Sequence, residues 1–110
     1  MLLFIKEKKM ELTEQLLSEL KKFLDEEGRL VQFPAKKKNK IISLLYLATK
    51  FEPGIIYTEK EINEIIERNH TFQDKWLLRR ELINHGFLSR LVDGSQYWVT
   101  EVQPEFDEIL

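Results

Sequence analysis

Asp74-Lys-Trp-Leu-Leu-Arg-Arg-Glu-Leu-Ile-Asn-His-Gly-Phe-Leu-Ser-Arg-Leu-Val-Asp-Gly-Ser-Gln-Tyr-Trp98 is the stretch on which the fold turns. It reads as a helix, a glycine stop at Gly86, a strand, an Asp93-Gly94 turn and a second strand. A helix that runs directly into a two-stranded hairpin is the recognition unit of a winged helix. The chain upstream is expected to hold that unit in place.

Working outward, the whole chain has 110 residues, 43% of them hydrophobic, which suits one domain around one core. There is no cysteine, so disulfides and thiol chemistry are excluded. No apolar run approaches the ~20 residues of a membrane span. The opening Met1 to Ile5 is too short for the apolar region of a signal peptide, so a cytoplasmic location is expected. Net charge is -2, but it is unevenly spread. Residues 1–27 carry five Lys/Arg against seven Asp/Glu, residues 28–100 twelve against eight, and residues 101–110 none against four. A mildly basic centre between acidic ends permits nucleic-acid binding by the centre.

Immediately before the opening stretch, Thr58-Glu-Lys-Glu61 is a capping box, with Thr58 as the cap and Glu61 reaching back to it. It starts a helix that runs through Ile62, Ile65 and Ile66 to about Arg68. Asn69-His-Thr71 is a short turn, and Thr71 with Asp74 marks the next start, so the two helices form a helix-turn-helix. Earlier still, Ile41, Leu44, Leu45, Ala48 and Phe51 make one helix face flanked by Ile42 and Leu47, which predicts a central helix. Lys36, Lys37, Lys38 and Lys40 stand at its start, where positive charge opposes the helix dipole. They are either a solvated run or a contact for phosphate or an acidic partner. An N-terminal helix is predicted over 13–27, with Thr13 as cap, Leu16, Leu17, Leu20, Phe23 and Leu24 on its apolar face and Gly28 as stop. Arg29 to Phe33 and Ile55 to Tyr57 read as short strands.

The helix of the opening stretch is expected over about Phe72 to His85. Its inner side is expected to hold Phe72, Trp76, Leu78, Arg79, Leu82 and Ile83, and its outer side Gln73, Leu77, Arg80, Glu81 and Asn84. An arginine on the apolar side needs an acidic partner, so Arg79 is read as a structural ion pair with Glu61 or Glu64. In the hairpin, Val92 should face Ser95, Arg90 Tyr97, Ser89 Trp98 and Leu88 Val99, with Arg90 stacked on Tyr97.

Taken in order, Phe23-Leu-Asp-Glu-Glu-Gly-Arg-Leu30, Phe33-Pro-Ala-Lys-Lys-Lys38, Tyr57-Thr-Glu-Lys-Glu-Ile-Asn63, Leu78-Arg-Arg-Glu-Leu82 and Asp93-Gly-Ser-Gln-Tyr-Trp98 resemble a bacterial family of unknown function, the domain of unknown function numbered twenty eighty-seven. The resemblance runs from about Leu20 to Val99. It implies a winged-helix-like, cytoplasmic, transcription-associated protein, and it carries no activity with it.

The expected architecture is therefore α+β. It is a winged helix-turn-helix with a three-helix core and a C-terminal hairpin wing, extended by an N-terminal helix and a short strand. One domain over 13–100 lies between an N-terminal segment, 1–12, and an acidic tail, 101–110. Catalysis is not expected. His70 and His85 have no ligand spacing, no glycine-rich loop cradles a phosphate, and no nucleophile–base pair is legible; no metal, cofactor or membrane partner is expected either. Two binding functions are. In one, a transcription regulator binds double-stranded DNA through Gln73, Arg80 and Asn84, with Lys36, Lys37, Lys38 and Lys40 on phosphates and Ser95 and Gln96 of the wing on the flank. In the other, Leu77 and Trp98 contact a second copy or another regulator.

Overall fold

The computed structural model of the chain describes residues 12–101; the apolar start and the acidic tail beyond Glu101 lie outside the described residues. Among the described residues the architecture is α+β, four helices and one two-stranded antiparallel sheet.

The central helix, α2 (Lys37–Ala48), is buried at every position from Ile41 to Ala48. A helix apolar on all sides can satisfy itself only by being surrounded. α1 (Glu14–Leu20) packs on it, and so does α4 (Lys75–Asn84). α3 (Glu59–Arg68) packs on α4 and buries Ile62 and Ile66. The capping box is formed as expected: the Glu61 N–H donates to Thr58 Oγ1 at 3.1 Å and the Thr58 N–H to Glu61 Oε1 at 2.8 Å. Phe87, Leu88 and Tyr97 complete the core.

The N-terminal helix is shorter than the periodicity of its leucines predicts. It runs only to Leu20, and a single 3-10 turn, Lys21–Phe23, follows. The cause is tertiary. Leu24 is extended and bridges Leu30, while the Asp25 carboxylate accepts the Glu27 and Arg29 N–H groups and the Arg29 guanidinium. Gly28 is left-handed, φ +79°, as a helix stop would be, but it serves this turn instead. The strand expected over Arg29 to Phe33 reduces to Leu30. That residue is fully buried and bonded on both sides of the turn between α3 and α4: its N–H donates to the Asn69 carbonyl, and its carbonyl accepts from Thr71. The N-terminal extension is thus clasped to the turn that precedes α4.

β1 (Leu88–Arg90) and β2 (Tyr97–Val99) pair in the expected register, Leu88 with Val99, Ser89 with Trp98 and Arg90 with Tyr97. The turn differs from the expected two-residue one. The Gly94 N–H donates to the Leu91 carbonyl across Val92 and Asp93, and Leu91 then pairs with Gln96, so four residues, Val92 to Ser95, form the loop. Gly94 takes the left-handed position, φ +76°. Of the segment Ile55 to Tyr57, only Tyr57 joins the sheet, through a reciprocal pair of hydrogen bonds with Tyr97 at 2.8 and 2.9 Å. Ile55 and Ile56 stay exposed.

Candidate nucleic-acid interface

The position of α4 is set by its first turn. The helix begins at Lys75, not Phe72, and its cap is Asp74, not Thr71: the Asp74 carboxylate accepts the Leu77 N–H at 3.2 Å. Gln73, one residue before, is left-handed at φ 54°, which stops any helix from reaching back to Thr71. His70 fixes this corner. Its ring is buried, and its Nε2 accepts the Asp74 N–H at 3.0 Å. Its Nδ1 therefore carries the proton and donates to the Ile66 carbonyl at 2.7 Å. One ring joins the last turn of α3 to the cap of α4, with its edge against Phe72 at 4.8 Å between centroids.

Starting the helix at Lys75 alters its faces. Leu78 and Leu82 are the buried pair. At ~100° per residue, Trp76, Arg80 and Asn84 all point away from them. These three are exposed, Trp76 to 54%. Trp76 is therefore an outer residue, contrary to the inner position expected. Leu77 and Glu81, expected on the outer face, are half-buried on its flank, and so is Ile83.

Arg79 is structural in the sense expected but with other partners. Its guanidinium donates to Glu59 Oε1 at 3.0 Å and Asn63 Oδ1 at 2.9 Å. Glu61 is already engaged as the return arm of the capping box. Glu59 and Asn63, four apart, share the stripe of α3 that faces Arg79; the bond to Glu64 is not formed. The guanidinium also lies over the Trp76 ring at 4.8 Å and the Tyr97 ring at 5.8 Å. Arg79, not the cross-strand neighbour Arg90, lies over the Tyr97 ring. Arg90 bends instead to the Leu91 and Val92 carbonyls of the loop, at 3.3 and 3.2 Å.

One groove, about 460 Å³, gathers Trp76, Arg80 and Asn84 of α4 with Arg90, Asp93 and Gly94 of the hairpin. Its charges are not equivalent. Glu59 is held by Arg79, and the Asp93 carboxylate accepts from the Ser95 hydroxyl at 2.7 Å and the Ser95 N–H at 2.9 Å. Those two bonds hold the Asp93 carboxyl below the ordinary aspartate range. Arg80 has neither a hydrogen bond nor an ion pair among the described residues. On the other side of Trp76, Gln73 is exposed and lines a second groove with Lys75 and Glu67, which pair at 2.6 Å.

The remaining site residues lie elsewhere. Lys36 and Lys38 line a groove with Glu19, Lys22 and Asn39, and Lys38 pairs with Glu19 at 3.4 Å. Lys36 and Lys37 are exposed, while Lys40 is half-buried over the Phe33 ring at 5.7 Å. Gln96 and Trp98 line a groove of mixed polarity with Ile56, Leu91 and Glu101, away from Arg80. Ser95 is committed to Asp93. Among the described residues, no group of three or more His, Asp or Glu is placed to hold a metal ion, and no helix is long and apolar enough to cross a membrane.

Residues 29–99 match a protein family described as an uncharacterized protein conserved in bacteria (DUF2087). The chain belongs to that family. Neither curated proteins nor solved structures give a significant match. In this DUF2087 chain the matched span begins at Arg29, beside the Leu30 clasp, and ends at Val99 in β2. It takes in the whole α4–hairpin groove, and leaves α1 outside.

Proposed function

We propose that the protein is a non-enzymatic, transcription-associated winged-helix protein that binds double-stranded DNA through α4. The observation that carries this is Arg80, an exposed guanidinium without a partner among the described residues. It stands four residues before exposed Asn84, on the helix face that opens toward the hairpin. Arginine suits the O6 and N7 acceptors of guanine, and asparagine the N6 and N7 groups of adenine.

The element order supports the winged-helix reading. A helix, a bridging residue at Tyr57, two helices joined by a short turn and a hairpin follow in sequence, and Tyr57 lies against β2 as a third strand would. Of the groove's acids, Glu59 is offset by its ion pair with Arg79, while Asp93, bonded only to Ser95, keeps its negative charge at the edge of the groove. Arg90, through its two loop carbonyls, braces the wing. The lysines at Lys36 to Lys40 then add a separate, sequence-independent attraction.

A second reading is a protein-interaction module that does not itself touch DNA. Exposed Ile56 and Leu91 beside Trp98 favour it, since apolar side chains gathered at a surface groove suit a protein partner. Equilibrium binding to a random duplex separates the two. Binding should be detectable at ~50 mM salt and fall steeply as salt rises. Arg80→Ala should weaken binding to a selected site by ~5- to 100-fold while leaving the fold intact. Failure of the wild-type chain to bind duplex at low salt refutes the DNA reading.

A further inference from the structure

Trp76 is the one large apolar side chain that α4 exposes, and it belongs to the same outward stripe as Arg80 and Asn84. We propose that Trp76 is a base-reading residue, contacting the 5-methyl group of a thymine in the major groove about two base pairs from the base taken by Arg80. This rests on the DNA-binding reading above and names part of the sequence read.

Holding the protein together does not account for the exposed part of the ring. Arg79, which lies against Trp76, is already fixed by Glu59, Asn63 and the Tyr97 ring. Lys75, whose ammonium lies 5.0 Å from the Trp76 ring, is already fixed by Glu67. Two anchored cations against one ring orient it before any ligand arrives, and a side chain ordered in advance loses less entropy on binding. The ring borders both grooves, the one shared with the hairpin and the one that holds Gln73. It is therefore central on this face.

The chemistry of the stripe is varied in the way the major groove is varied. Arg80 offers donors only, Asn84 a donor and an acceptor, and Trp76 an apolar surface. The groove displays the acceptor pair of guanine, the mixed edge of adenine and the methyl of thymine. Residues four apart on a helix are separated by ~6 Å along its axis, close to two base-pair steps of ~3.4 Å. Trp76 and Arg80 would thus read positions about two base pairs apart.

The test is selection of preferred duplexes from a random pool by the wild-type chain, followed by replacement of each selected thymine with deoxyuridine, which removes only the methyl. One replacement should weaken wild-type binding about fourfold, the loss expected for one buried carbon. The same replacement should leave Trp76→Ala unaffected, and 5-methylcytosine at that position should retain more affinity than cytosine. A role confined to stacking on Arg79 would not move these ratios. Wild-type binding indifferent to every thymine methyl overturns the proposal even if Arg80→Ala still loses its site. This comparison needs no variant, so misfolding of Trp76→Ala cannot mask it. If the wild-type chain binds no duplex, the DNA reading fails and the proposal with it.

Discussion

His70→Ala should detach α4 from the turn that positions it. The imidazole bonds the Ile66 carbonyl at 2.7 Å and the Asp74 N–H at 3.0 Å, and it is only 6% exposed. Two hydrogen bonds of this kind contribute ~1 kcal/mol each. The edge contact with Phe72 adds ~0.5–1.5 kcal/mol. The Ile66 carbonyl keeps the Asn69 N–H as a second partner, so its loss is partial, whereas the Asp74 N–H has no other acceptor among the described residues. The expected destabilisation is ~2–4 kcal/mol, with a small cavity included. Urea unfolding followed by circular dichroism would measure it. Native-state hydrogen exchange should show early loss of protection at Leu77 and Leu78, the first amides bonded to Asp74. A loss under ~0.5 kcal/mol, typical of an unremarkable surface site, would refute the claim that this ring holds the corner.

Three further outcomes follow from particular contacts. Arg79→Ala should cost ~1–2 kcal/mol rather than the larger sum for a buried pair, because Glu59 is half-exposed and screened; Glu59→Gln, measured by the same urea unfolding, should cost less than Arg79→Ala, and equal losses would contradict the shared role of Asn63. Gly28→Ala should cost ~2–3 kcal/mol by thermal or urea unfolding, since it strains a left-handed residue and displaces the Tyr46 hydroxyl. A Cβ there would lie 2.9 Å from that hydroxyl, which bonds the Gly28 carbonyl. For the hairpin loop, the Asp93 carboxyl is lowered first by the Ser95 hydroxyl and then by the Ser95 N–H. A depressed folded value means its stabilisation is present at neutral pH and is lost as pH falls through that value. The Ser95 amide resonance should therefore titrate below the ordinary aspartate value of ~3.9, and a midpoint at or above it would contradict the bonding seen.

Much of the molecule was legible in the chain because it depends on near neighbours. Thr58 and Glu61 specify a helix start within four residues, the unbroken apolar run of Ile41 to Ala48 can only be central, and alternation fixes the hairpin register once the turn is located. The larger errors come from distant contacts. The N-terminal leucines have helical spacing to Leu24, but Leu24 is drawn into pairing with Leu30, and Leu30 is in turn held by a turn some forty residues later. Likewise the start of α4 depends on a histidine ring and a left-handed Gln73, neither of which periodicity reports. Moving that start by three residues removes Phe72 from the helical wheel. Leu78 and Leu82 then set the inward direction, which turns Trp76 out and draws Leu77 to the flank. The choice of Glu59 over Glu61 had a local signal, since a carboxylate spent on a cap is not available to a neighbouring helix.

The sequence by itself determined which segments are helix and hairpin, the depth of α2, the strand register and the outward position of Arg80 and Asn84. These follow from side-chain period and capping chemistry, which act within a few residues. Only the tertiary structure decided where α1 stops, that Leu30 clasps the turn before α4, that Trp76 stands beside Arg80, and that Lys36 and Lys38 line a separate groove with Glu19. Those outcomes depend on which distant backbone groups find each other, and a buried N–H or carbonyl must find a partner wherever the fold provides one.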